Sequence, residues 1–330
     1  MKKFFLLIWC VALLAACEQG YNSVNTELNS TIAFSTKSVV RSAITQGDID
    51  GAGATVKVYA TRNGSNLYNN VQIERESATG KWYPKSGKTN WTSGSNYSFY
   101  GYAYNVTEGL TISENGTFIK VDQPTSYNEA NMVDYLLSYK FQVADGAMMP
   151  IVQLQLEHAM ALVEIYVVRG NLFEARLKTM TFENIYSSGT LKCTNHVIAN
   201  EGTPNVWEIT LTGNGTTKYT LQPNPAIEIG GTREDTAAKM KILCIPQQLT
   251  ANTKLTIVYE VNEKLTNDSA DNWVSHTETF QLFKYSPMNY QSGHRIVYTA
   301  TIDSGVNLQG AIAEWNDVDY IEGTILPEID

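Results

Sequence analysis

The stretch Tyr97-Ser-Phe-Tyr-Gly-Tyr-Ala-Tyr104 reads as an aromatic β-strand, and its surroundings repeat that reading in both directions. Toward the N-terminus, Val56-Lys-Val-Tyr-Ala60 alternates at period two and ends in the turn dipeptide Asn63-Gly64. Earlier still, Leu28, Ile32 and Phe34 alternate with polar residues. Toward the C-terminus, Thr111-Ile-Ser113 runs through Asn115-Gly116 into Phe118-Ile-Lys-Val121, which predicts a hairpin. Further on, Val152–Leu156, Ala161–Val168, Trp207–Leu211 and Leu255–Val261 carry β-branched or aromatic residues at strand spacing. Turn signals at Asp145-Gly146 and Gly213-Asn214-Gly215 separate them. Only Leu172 to Met180 suggests a short helix. Many short strands at this spacing predict a mainly β chain of two tandem antiparallel β-sandwiches. The expected domains are residues 28–149 and 150–330, divided at the turn cluster Gly146–Pro150.

A loose internal repeat agrees with two similar halves. Trp91-x-x-Gly94-x-x-Tyr97-x-Phe99 returns as Tyr290-x-x-Gly293-x-x-Ile296-x-Tyr298. In each, an aromatic and a Gly-containing turn lead into an aromatic strand.

The chain opens with Lys2 and Lys3, then an apolar run from Phe4 to Ala16, then Cys17. A basic start followed by about 12 apolar residues is a secretory signal, too short for a membrane span. Leu14-Ala15-Ala16-Cys17 fits the bacterial lipobox, so cleavage is expected between Ala16 and Cys17, with lipid on the Cys17 thiol. Residues 1–16 are then the signal peptide and 17–27 a lipidated polar tether. A multiply acylated cysteine gives stable anchoring to the outer membrane.

The formal charge of −9 argues against nucleic acid and against anionic lipid surfaces. Cys10 leaves with the signal, so Cys193 and Cys244 remain. An oxidising exterior permits a bridge between them, but Cys244 lies in the apolar run Met240–Ile245, where a buried free thiol is equally natural. The histidines His158, His196, His276 and His294 are scattered, with no metal-ligand spacing. No nucleophile elbow, phosphate loop or dinucleotide fingerprint is present. The reading is no enzyme, no cofactor and no metal, with His158 a packed or hydrogen-bonded residue at a strand. Trp82, Tyr83, Trp91 and Trp273 would have to be exposed to stack on sugars; as strand aromatics they read better as core.

Several phrases, in order, resemble the fimbrillins of Bacteroidetes, the subunits of lipoprotein-derived pili. Leu156-Glu-His-Ala-Met-Ala-Leu-Val-Glu-Ile165 is similar to the phrase that opens the family's second domain. Asp134-Tyr-Leu-Leu-Ser138 is similar to the strand that precedes it. Ile245-Pro-Gln247, Gly293 to Tyr298 and Ile312-Ala-Glu-Trp315 resemble later landmarks. Asp235-Thr236-Ala237 and Asp268-Ser269-Ala270 resemble O-glycosylation acceptor sites of exported Bacteroidetes proteins, with Thr236 and Ser269 as acceptors.

The resemblance implies two transthyretin-like sandwiches and a mechanism. An arginine-specific protease removes the N-terminal segment with the first strand, and the vacated groove accepts a strand of the next subunit. A head-to-tail contact that does not close then yields a filament. Here the strand to remove is Leu28–Val40, and Arg41 is the candidate cleavage residue. Cutting at Arg62 would also remove Val56–Ala60. Arg41 reads equally as a solvated residue after a permanent strand. The C-terminal tail 311–330 is the candidate donor, although Val318, Tyr320 and Ile321 do not share one face. The implied function is a structural or adhesive fimbrial subunit at the cell outer membrane, partnered by other subunits and by a host protein or glycan. The rival is a surface glycan-binding lipoprotein for polysaccharide capture. An apolar groove under the first strand would favour the former, and a stripe of exposed aromatics the latter.

Overall fold

The computed structural model describes residues 27–38, 55–104, 111–113, 117–145, 149, 151–170, 174–193, 207–264, 270–285, 288–303 and 306–314. Its strands begin with β1 (Glu27–Thr31), β2 (Phe34–Ser38), β3 (Thr55–Arg62), β4 (Ser65–Arg75), β5 (Trp82–Pro84), β6 (Asn90–Thr92), β7 (Ser95–Tyr104) and β8 (Thr111–Ile112). Next come β9 (Phe118–Asp122), β10 (Tyr135–Ala144), β11 (Val152–His158), β12 (Ala161–Arg169), β13 (Ala175–Ile185), β14 (Ser188–Cys193), β15 (Trp207–Thr212) and β16 (Thr217–Leu221). The last are β17 (Ile227–Glu228), β18 (Lys239–Cys244), β19 (Gln247–Gln248), β20 (Lys254–Asn262), β21 (Trp273–Gln281), β22 (Asn289–Tyr290), β23 (His294–Ile302) and β24 (Val306–Glu314). Among the described residues the only helices are two 3₁₀ turns, at Glu129–Asn131 and Leu282–Lys284. The chain is mainly β, as its sequence predicts.

The first half closes on itself. Seven strands follow one another as β10-β11-β2-β5-β4-β3-β7 around a barrel. The second half is sandwich-like, with β18-β12-β23-β24 in one sheet and β16-β13-β20-β21 in another. A further sheet, β15-β14-β9-β8, joins the halves, because β9 pairs with β14. The predicted hairpin into Phe118–Val121 is present as β8 and β9. Val152–His158, which the sequence reading placed in the second half, pairs with β10 and β2 and so completes the barrel. Two pairings are parallel, β2 with β11 and β12 with β23.

The aromatic strand β7 sits at the centre of this plan. Tyr97, Phe99 and Ala103 face the barrel core, while Tyr100 and Tyr102 belong to the core of the second half. Period-two alternation thus buries both faces of one strand in two different cores. Gly101 lies on the barrel face, where an added Cβ would come within 3.1 Å of Leu154 on β11. We expect Gly101→Val to destabilise the chain by roughly 1–3 kcal/mol, since this core must move to admit the extra methyls. Urea unfolding of the variant beside the parent checks it, and an unchanged midpoint would mean that Leu154 yields freely.

The loose repeat in the sequence corresponds to one local device used twice. Gly94, at φ +74, carries β6 into β7, and Gly293, at φ +70, carries β22 into β23. Such positive φ suits glycine. The Gly94 N–H donates to Ala144 O at 2.6 Å, and the Gly293 N–H donates to Met160 O at 2.9 Å. The aromatics follow suit: Trp91 meets Tyr97 edge-on at 4.7 Å, and the Tyr290 and Tyr298 hydroxyls are 3.1 Å apart.

One expectation fails. Of the predicted helix Leu172–Met180, the described part from residue 174 is not helical; from Ala175 the chain is β13, hydrogen-bonded between β16 and β20. A register shift between Leu177 and Thr179 explains the misreading. The bulge puts Leu177 and Met180, three apart, on the same buried side, which mimics helical spacing inside a strand.

Candidate functional site

The candidate site is the place where β2 closes the barrel. Before β2, the Ile32 N–H donates to Thr89 O at 2.9 Å, and Ala33 O accepts from Val152 N–H at 2.9 Å. β2 then runs parallel to β11, from Phe34 opposite Val152 to Ser38 opposite Leu156. Among the described residues its other edge has a single register partner, Phe34 opposite Trp82 on β5, and the preceding β1 pairs only with the short β6. The segment is therefore held well on one side and thinly on the other.

Its side chains are nonetheless central. Ile32 and Phe34 are both 0 % exposed. The Phe34 ring stands edge-on to Phe99 at 5.6 Å and tilted against Tyr68 at 6.4 Å. Phe99 continues the cluster to Tyr97 and Trp91. Burial pushes the Tyr68 phenol above its ordinary pKa, so this wall is uncharged at neutral pH. Tyr68, Ile73, Val152, Leu154 and Leu156 line the same core. Without residues 27–38 these side chains would border an apolar groove between β11 and β5. Such a groove offers a free edge for backbone hydrogen bonds and pockets at alternate positions for side chains.

Other residues singled out by the sequence fall in varied places. Ala16, Cys17, Arg41 and Ser269 lie outside the described residues. Arg62 closes β3, which is bonded to β4 and β7, and its guanidinium donates to Thr92 Oγ1 at 2.9 Å. A cut there would sever an interior strand of the barrel. Residues 311–314 of the candidate donor tail are already paired with β23 as the end of β24. A donor drawn from that tail would have to start beyond Glu314.

Thr236 requires a correction. It is only 3 % exposed, and its hydroxyl donates to Val167 O at 2.8 Å while accepting from the N–H groups of Gly230 and Ala238. That hydroxyl ties a loop to β12, so it is no acceptor for a glycan on the folded chain. Cys244 is a buried free cysteine, and burial pushes its thiol up in pKa. Trp82 and Trp91 are buried in the barrel, and Tyr83 and Trp273 are half-buried under Lys88 and Arg176. They do not form an exposed aromatic stripe.

His158 ends β11, where its Nδ1 lies 2.9 Å from Asp134 Oδ1, both side chains being 0 % exposed. The pair pins the chain where the barrel gives way to β12. The sequence placed both residues in landmark phrases but carried no signal that they touch, because 24 positions separate them. Among the described residues no cluster of His, Cys, Asp or Glu could hold a metal ion, and no helix is long and apolar enough to cross a membrane.

A two-part, mainly β chain in which the N-terminal strand β2 completes a barrel core is the class that fold and site define. Residues 41–315 match the model of the fimbrillin-like family, and the chain belongs to that family. A solved structure from Bacteroides uniformis, of a protein proposed to act in cell adhesion, covers 87 % of this chain and 99 % of its own, with TM-score 0.53 and 15 % identity. Another such protein, from Bacteroides ovatus, covers 89 % of this chain and 100 % of its own, with TM-score 0.51 and 16 % identity. Both likenesses extend to the fold. No curated protein matches the chain.

Proposed function

We propose that this chain is a structural or adhesive subunit of a surface fimbria, exported as a lipoprotein through Cys17 and assembled by strand exchange at the barrel seam. Membership of the fimbrillin-like family supports an adhesive surface protein. One observation carries the finer reading: Ile32 and Phe34 fill the barrel core from a segment that has a single register partner on β5. Removal of that segment by cleavage at Arg41 leaves an apolar slot that a like or related subunit refills. Its partners are then other subunits, with the outer membrane reached through the lipid. The burial of Trp82 and Trp91 leaves the barrel without an exposed aromatic stripe of the kind that would favour polysaccharide capture there.

The test uses residues 18–330 treated with an arginine-specific protease. The expected result is a new N-terminus at Ser42 by mass spectrometry, followed by growth in light scattering. A chain that is cut there and stays a stable monomer would sink the strand-exchange reading. Resistance at Arg41 would instead assign an uncleaved anchor or tip subunit.

A further inference from the structure

A second concave feature lies in the other half of the molecule, away from the barrel seam. Among the described residues β15 is the outer strand of its sheet, bonded only to β14. Trp207, Ile209 and Leu211 occupy alternate positions on it and are half-buried. The two-stranded pair of β19 and β22 contributes further lining to the same cleft, of about 610 Å³. That volume lies within the usual range for small-ligand sites.

The chemistry of the lining is narrow. In a chain with 33 acidic and 24 basic residues, no Asp, Glu, Lys or Arg lines this cleft. Instead Gln248, Asn289 and Gln291 stand exposed along its walls. The Gln247 amide is committed to the backbone, donating to Tyr186 O and Ile245 O and accepting from Tyr186 N–H, so it fixes the shape of the wall. His294 points Nδ1 at Ser292 O at 2.9 Å, which leaves Nε2 as the ring's remaining polar atom. The Trp207 Nε1–H is shielded from solvent and has no hydrogen-bond partner among the described residues.

We propose that this cleft is a binding site for a neutral oligosaccharide. An indole, an aliphatic strip and several uncharged amides suit a ligand with one apolar face and a rim of hydroxyls, and they suit a formal charge on neither side. Anionic glycans meet no Lys or Arg among the described lining residues, and cationic ligands meet no carboxylate. The site rests on the adhesive part of the function proposed above and is independent of strand exchange, so polymerisation and glycan binding fail separately.

The test is calorimetry on residues 18–330 with maltotriose, cellotriose, xylotriose and mannotriose, set against sialyllactose as the anionic control. At least one neutral probe should bind and sialyllactose should not. Gln291→Ala is expected to weaken that binding about fivefold, the loss of one hydrogen bond. Trp207→Ala should weaken it more than about tenfold, with Trp207→Phe restoring part of the loss if stacking contributes. Thermal unfolding of each variant separates a lost contact from a lost fold. No binding of any neutral probe at millimolar concentration would overturn the proposal, as would binding that survives both Gln291→Ala and Trp207→Ala. The described chain ends at Glu314, opposite His294 in the β23–β24 register. A synthetic peptide of residues 315–330 is therefore the competing occupant, and its binding in place of every sugar would also overturn the assignment.

Discussion

Phe34→Ala is expected to lower the unfolding free energy of the full chain by about 3–5 kcal/mol, the usual cost of deleting a buried phenylalanine. Phe34 is fully enclosed and makes two aromatic contacts, with Phe99 and Tyr68. Each such pair adds roughly 0.5–1.5 kcal/mol beyond the area buried. Neighbouring Ile32 shares the core, so Ile32→Ala should cost about 2–5 kcal/mol. By contrast Thr31 is exposed, and Thr31→Ala should stay within about 0.5 kcal/mol. The contrast matters because backbone hydrogen bonds are the same in all three variants. If strand retention depended on the ladder alone, Phe34→Ala would be mild. A large loss at Phe34 with none at Thr31 would show that the side-chain slot holds the segment. Chemical denaturation with circular dichroism reads the difference. The same variant bears on assembly: a segment that has lost its anchor leaves the slot more often, so spontaneous exchange between uncleaved subunits should speed up.

Strand identity was legible in the sequence wherever side chains alternate between two environments. Val152-Gln-Leu-Gln-Leu156 is the plainest case, with buried and exposed residues taking strict turns along β11. The partner of such a strand was not legible. Period two says which residues face inward, but it does not say that β11 lies parallel to β2, from which more than a hundred residues separate it in sequence. For the same reason the strand looked like the start of the second half, when it closes the first. The helix expected before Met180 failed where a bulge broke the alternation on which the reading depends. Thr236 failed for a different reason: a three-residue acceptor phrase carries no information on burial, and here the hydroxyl faces Val167 O. Phe34 is the instructive success. Its alternation with Ile32 marked one apolar face, and that face fills the candidate groove. The cleft beside β15 left almost no trace in sequence, because Trp207, Gln248 and Gln291 come from three separate segments that only the fold brings together.

The second large effect concerns the junction of the two halves. Asp134→Ala should destabilise the chain by about 1–3 kcal/mol, because it strips a buried imidazole of its carboxylate partner. Position gives the pair leverage. Leu136 on β10 lies opposite His158, and Ala159 N–H donates to Tyr135 O at 2.8 Å, so Asp134 and His158 staple the start of one strand to the end of the next. Immediately beyond, Met160 O receives the Gly293 N–H that leads into β23. Loosening the staple therefore disturbs the barrel and the second sheet together. Asp134→Asn keeps an acceptor oxygen at the same place and should cost less than the alanine variant. Because Tyr100, Tyr102 and Leu137 of the barrel strands belong to the core of the second half, unfolding of every variant should remain a single transition. Far-ultraviolet circular dichroism and tryptophan fluorescence, followed through one guanidinium titration, test both points. Coincident curves shifted to lower denaturant for Asp134→Ala are expected. A shift worth less than about 1 kcal/mol would mean that the pair merely fills space. Separate transitions would mean that the halves fold independently despite the core they share.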